Sequence, residues 1–274
     1  MRTILEIARQ EFTINVRNKW TLLFAVVFGL LIVSVSYFGI VAEGYSGLQS
    51  FTRTSASILN LVLYIVPLIS LTMGTLSFTG DKGSTELLYS QPVSRGEVLL
   101  GKLLGIFWSI AVSTLSGFVV AGSIILFNTG IDGFSRYASF VALSLGLALV
   151  FLSISVAVSI ACKRKSKAFG LSLFIWFFFV LFYDLLAIGG AVLLSWHSAN
   201  LFLFLSLFGN PVDMVRVASL IILDDVTIFG AAGAALLRFL GGPVLSLSFL
   251  LGGLGLWVAV PLLGAHRMLR RQDL

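Results

Sequence analysis

The chain has 274 residues, 58% of them hydrophobic and only 11% charged, with a mean hydropathy of +1.05. A soluble domain carries roughly a quarter of its residues as charges, so a water-soluble fold is excluded, and the long unbroken apolar runs require lipid as solvent. The surplus of 18 Lys and Arg over 12 Asp and Glu reads, in so apolar a chain, as a topology signal and not as a nucleic-acid surface.

Residues 2–18 set Ile4, Leu5, Ala8 and Phe12 along one side at helical spacing, with Arg2, Glu6, Arg9 and Gln10 mostly elsewhere. This predicts an interfacial helix within a segment 1–20. A crossing helix needs about 20 apolar residues. Stretches of that length fall at 21–42, 57–78, 103–128, 137–161, 168–194 and 239–265, which predicts an all-α integral membrane protein with six transmembrane helices in one domain, 1–274. The first run exceeds the apolar core of a signal peptide, about 7 to 15 residues, and is expected to stay as an anchor.

With six crossings both termini share a side, and segments 1–20, 79–102, 162–167 and 266–274 lie together. They hold Arg2, Arg9, Arg17, Lys19, Lys82, Arg95, Lys102, Lys163, Arg164, Lys165, Lys167, Arg267, Arg270 and Arg271, leaving Arg53, Arg136, Arg216 and Arg238 for the other side. Cytoplasmic loops are the ones rich in Lys and Arg, so both termini of this multi-pass protein are expected in the cytoplasm. Stretch 185–212 is also charge-free, but a seventh crossing there would export the three C-terminal arginines. Residues 195–238 are therefore assigned to one helical periplasmic segment, lying in the interface or folding partly back into it.

Between the second and third spans, 80–102 reads GDKGSTELLYSQPVSRGEVLLGK. Ser84 or Thr85 can cap a short helix through Glu86, Leu87 and Leu88. Gln91-Pro92 stops it, and Ser94 with Glu97 starts another as a capping box. Two short helices joined by a turn are expected. An acid beside exposed leucines on the cytoplasmic face suits docking into a partner's groove; an ordinary solvated loop is the plainer alternative. Gly96 to Lys102 also has the glycine and lysine spacing of a phosphate loop. Leu103 stands where Ser or Thr must follow, and no strand precedes it, so ATP is expected to bind elsewhere.

This segment resembles that of the ABC-2 type permeases, membrane subunits of ATP-binding-cassette exporters. There a stretch after the second span reads approximately Glu-Lys, small residues, Thr-Glu-Leu-Leu, Pro-Val-Ser-Arg, a Glu and Gly-Lys. Here it is Asp81, Lys82, Gly83, Ser84, Thr85, Glu86, Leu87, Leu88, Pro92, Val93, Ser94, Arg95, Glu97, Gly101 and Lys102, departing at Asp81. The likeness extends over the chain and, through 210–220, is greatest to the permeases that serve assembly of the copper-sulfur centre of nitrous oxide reductase. It implies a homodimer bound to two copies of a separate ATPase that carries ATP and Mg, with a periplasmic copper-maturation protein outside. It also implies a sulfur species as cargo ahead of copper, and Asp81, Lys82, Thr85, Glu86, Leu87, Leu88, Arg95 and Glu97 as the ATPase-coupling residues. No cofactor is expected on the chain itself. Copper pathways display Cys, Met or clustered His, whereas Cys162 is single and the four Met are scattered; no metal site is expected.

Asp184 is the one ionisable residue placed inside a predicted span, where an isolated carboxylate costs several kcal/mol. It reads as a translocation-path residue or as a polar group near the outer interface. Pro67 kinks the second span, as a hinge on that path or as a packing device. Gly101 and Gly105, and Gly252, Gly253 and Gly255, permit close helix approach. The aromatic run Phe174 to Tyr183 reads as lipid contact and packing, and His197 and His266 as interfacial polar residues at opposite faces. An ATPase-independent channel or secondary transporter, an exporter of another cargo, and a static platform for a periplasmic partner stand as alternatives. A membrane enzyme lacks a nucleophile, base and metal constellation.

Overall fold

The computed structural model describes residues 2–42, 47–79, 94–129, 134–162, 164–223, 236 and 242–271. Among them every regular element is helical, as hydrocarbon demands of a chain whose backbone groups must be satisfied within each segment. The helices are α1 (Arg2–Val16), α2 (Lys19–Ala42), α3 (Gly47–Phe78), α4 (Arg95–Thr129), α5 (Phe134–Ala161), α6 (Lys165–Phe177), α7 (Tyr183–Val192), α8 (Trp196–Phe208), α9 (Pro211–Leu223) and α10 (Pro243–Arg271). Residues Phe178–Phe182 form a π-helical turn that joins α6 to α7 without breaking the rod.

Among the described residues five helical runs are long and apolar enough to cross a membrane: Ile58–Phe78, Arg95–Ser123, Phe134–Ala161, Lys165–Val192 and Pro243–Arg271. Two bent pairs, α1 with α2 at 67° and α8 with α9 at 100°, raise the possible number to seven. In the first pair α1 is the amphipathic member, while α2 has 24 residues with Lys19 as its only charge, so the bend separates an amphipathic helix from an apolar one.

α5 is the axis of the bundle. Along it Phe140, Leu147, Val150, Phe151 and Leu152 are wholly buried, and α3, α10, α9, α4 and α6 pack around it. Its serines cause no polar penalty, because Ser144, Ser153, Ser155 and Ser159 return their hydroxyls to carbonyls three or four residues earlier. Gly74 of α3 lets that helix lie on Ser155 and Leu152, into which any Cβ would run. The α6–α7 rod and α10 lie at the edge, with Leu185, Leu186, Val192, Leu256 and Val260 exposed, the composition of a lipid-facing surface.

Two expectations are corrected. The second of the two short helices expected in 80–102 is the beginning of α4, a continuous 35-residue helix; nothing after Ser94 breaks it, and neighbouring elements occupy the space opened by its glycines. The packed side of α1 is Ile7, Ala8 and Asn15, while Leu5 points outward, because α1 docks on another helix and keeps Glu11 inward against a lysine. The 185–212 stretch is not one helix: it breaks after Val192 and again at Gly209-Asn210. α8 turns back on α7, and α9 is almost entirely buried against α5, α10 and α3. α8 and α9 meet at 100°.

Candidate functional site

The sequence-predicted coupling residues Asp81, Lys82, Thr85, Glu86, Leu87 and Leu88 lie outside the described residues. Arg95 and Glu97 do not, and both sit in the first turn of α4. Ser94 caps that turn reciprocally with Glu97: the Ser94 backbone N–H and hydroxyl donate to Glu97 Oε2 at 3.1 and 2.8 Å, and the Glu97 N–H reaches the Ser94 hydroxyl at 3.3 Å. This is the capping box expected from the spacing. The Ser94 hydrogen bonds hold the Glu97 carboxyl below its usual range.

Arg95 ties this turn to the other end of the chain. Its Nη1 donates to the Leu269 carbonyl at 2.7 Å, one of the last carbonyls of α10, which have no partner within their own helix. A cation there also complements the helix dipole. Beside it Gly96 admits the His266 ring, whose Cε1 lies 3.3 Å from where a Cβ would stand.

One turn on, Gly101 and Gly105 seat α1. A Cβ on Gly101 would meet Ile7 at 2.8 Å, and one on Gly105 would meet the Ala8 carbonyl at 2.5 Å, so only glycine permits this approach. Between them Lys102 Nζ pairs with Glu11 Oε1 at 3.2 Å, both side chains largely buried. Ser77 and Asn15 donate to the other Glu11 oxygen at 3.3 Å each, and Lys102 stands 5.6 Å over the Phe78 ring. The phosphate-loop spacing of Gly96 to Lys102 is therefore wound into α4, with its lysine engaged by Glu11. One end of the bundle thus joins α1, the end of α3, the start of α4 and the end of α10. The sequence expected these segments to share a side, but nothing in it singled out Glu11.

A second polar cluster lies where α7 meets the α8–α9 pair. Asp184 follows the π turn and accepts from Arg216 Nη1 at 2.8 Å; the same nitrogen donates to Asp213 Oδ1 at 2.7 Å. Asn210 starts α9 as its cap, with its side-chain oxygen accepting the Val212 N–H at 3.0 Å and Pro211 at the first helical position. Its Nδ2 donates to Asp213 Oδ2 at 2.9 Å and to the Phe179 carbonyl at 3.0 Å. Tyr183 donates to the Ser206 carbonyl at 2.6 Å. Asp213 has a further donor in Asn210, while the Arg216 and Asp184 side chains stay 26% and 31% exposed, so the desolvation that an ion pair must offset is only partial here. Asp184 was legible as an intramembrane acid; its partner Arg216 was legible only as an interruption in an apolar segment.

Pro67 is buried in α3. Lacking an N–H, it leaves the preceding turn of α3 short of a donor, and the Trp176 indole of α6 donates to the neighbouring Tyr64 carbonyl at 2.8 Å. Among the described residues no group of three or more His, Cys, Asp or Glu converges as a metal site, and the thiol of Cys162 is free.

The chain is thus a multi-pass helical membrane domain with a capped, cross-tied entry to its third long helix and a sharply bent helix pair before its last. The sequence model of the ABC-2 family transporter proteins covers residues 5–274, and the chain belongs to that family. Its relatives include a protein described as a probable ABC transporter permease protein NosY from Pseudomonas aeruginosa, 33% identical over 280 residues and spanning all of both chains. Another of the same description, from Stutzerimonas stutzeri, is 32% identical over 281 residues and 99% of each chain. As an ABC transporter permease it implies an ATPase partner.

Proposed function

We propose that this chain is the permease subunit of an ABC exporter in which two copies span the bacterial inner membrane and two copies of a separate ATPase bind and hydrolyse ATP. The chain itself binds no nucleotide and is not an enzyme. Its six crossings are 21–42, 57–78, 103–128, 137–161, 168–194 and 239–265, with both termini cytoplasmic and 195–238 periplasmic. The layout is supported by the shared end: α3 and α10 finish where α1 and α4 begin. The α8–α9 pair follows the opposite end of the α6–α7 rod.

The observation that carries the coupling role is the entry to α4. Residues 81–88 feed into a turn that is capped by Ser94 and Glu97 and tied by Arg95 to α10. A push delivered there by an ATPase reaches α4, α10 and, through Lys102, α1 together. Binding of ATP to a closed ATPase dimer supplies the differential free energy that such a movement requires. Pro67 and Asp184 are the proposed pathway residues. The cargo proposed, a sulfur species ahead of copper delivered to a periplasmic copper-maturation protein for the copper-sulfur centre of nitrous oxide reductase, follows from the family resemblance and from the single Cys162 and scattered methionines; the whole-length likeness to probable ABC transporter permease proteins NosY supports the permease role.

The test is co-purification of the tagged chain in mild detergent with its ATPase, identified by mass spectrometry. We expect charge reversal of Glu86 together with an Arg95 change, and separately substitution of Leu87 and Leu88 by Asp, to release the ATPase and abolish stimulated ATP hydrolysis. Full retention of assembly and activity in both variants would sink the coupling assignment. A wild-type sample free of any ATPase would favour the channel reading.

A further inference from the structure

We infer that Arg216 is a positioning residue that latches the re-entrant α8–α9 pair onto the π turn of the α6–α7 rod, with Asp184 as the releasable half of the latch. The inference concerns this chain alone and does not rest on the ATPase reading. Three observations carry it.

First, three polar groups of the rod at this point bond to the α8–α9 pair. The Phe179 carbonyl takes Asn210, the Tyr183 hydroxyl takes the Ser206 carbonyl, and the Asp184 carboxylate takes Arg216. Residues 179, 183 and 184 are four and five apart. The widened turn, closed by the Tyr183 N–H on the Phe178 carbonyl, brings positions of that spacing onto one side.

Second, the arms are unequal. Asp213 sits three residues before Arg216 on α9 and is held by Arg216 and by Asn210, so this pair travels with the hairpin. Asp184 is on the other body. Opening its contact breaks the charged tie between the two bodies and leaves Arg216 its Asp213 carboxylate, so the unpaired charge falls on Asp184, the more exposed partner at 31% against 26%.

Third, little else charged joins them. Among the described residues, Asp184 to Arg216 is the ion pair that bridges rod and hairpin. The apolar contact there includes Gly190, where a Cβ would stand 2.9 Å from the Phe202 ring.

The experiment is a spin-label distance measurement on the full chain in lipid nanodiscs. In a Cys162→Ser background, labels go on the exposed positions Leu186 of α7 and Leu205 of α8. Asp184→Arg and Arg216→Asp are each expected to shift the distribution to longer distances and broaden it. The double exchange Asp184→Arg with Arg216→Asp restores the opposite charges and is expected to return the short, narrow distribution. Asp184→Asn, which keeps the shape, is expected to fall between. A distribution unchanged in Asp184→Asn and both reversals, or a double exchange as broad as the single reversals, would overturn the latch.

Discussion

Glu11 and Lys102 show how a charged pair is placed in so apolar a chain. Their side chains are only 12% and 17% exposed, and each has further company: Ser77 and Asn15 on the acid, the Phe78 ring on the lysine. Removing one partner leaves the other with an uncompensated charge in a poorly hydrated place, a loss of about 1–3 kcal/mol after allowance for residual solvent. Glu11→Gln and Lys102→Met are each expected to lower the unfolding midpoint in detergent, followed by tryptophan fluorescence. The double variant is expected to recover part of the loss, because no lone charge remains. Additive losses in the double variant would mean that the pair does not act as a unit. Lys102 was visible in the sequence as part of a coupling motif. Glu11 was not, because a single acid on a short amphipathic helix carries no sign of which neighbour it will meet.

At the scale of elements, α4 differs most from its sequence expectation. Apolar run length places the start of the third span at 103, yet the helix begins at Arg95, eight residues earlier, because Ser94 and Glu97 nucleate it and nothing afterwards stops it. The extra turns stand clear of the apolar run and are where α4 receives both α1 and the end of α10. Arg95→Gln removes the charged donor to the Leu269 carbonyl. We expect faster amide exchange in the last turns of α10, residues 266–271, with α5 unchanged, read by hydrogen-exchange mass spectrometry. Equal exchange in the variant and the parent would show that α10 is held there by packing alone. The π turn is another element the sequence concealed: Phe178 to Phe182 is a plain aromatic and aliphatic run, and only the hairpin docked against it gives the wide turn a purpose.

For the molecule as a whole, the packing order follows from residue size along α5. Where α3 crosses it, Gly74 is pressed against Ser155 and Leu152. A larger side chain there must push the two helices apart, at a cost of about 1–3 kcal/mol for overpacking and more where neither helix can yield. Gly74→Leu is therefore expected to reduce the monodisperse fraction by size-exclusion chromatography, whereas Gly252→Leu, on α10 with nothing within 4 Å, is expected to leave it unchanged. An unaffected Gly74→Leu would mean that this crossing is looser than its geometry.

The sequence by itself determined the all-helical membrane class, the apolar runs, the capping box at Ser94, the close approach through Gly101 and Gly105, and the permease family. All of these rest on local composition, periodicity or a contiguous motif, which a linear reading captures. Only the tertiary structure decided that Arg95 holds the end of α10, that Glu11 answers Lys102, that α9 is packed inside the bundle, and that Asp184 meets Arg216. Each joins residues from 32 to 174 positions apart, or turns on which side of a nearly uniform apolar helix faces inward. When most faces of a helix are apolar, the hydrophobic pattern no longer selects the buried one, and steric fit and a few polar partners make the choice.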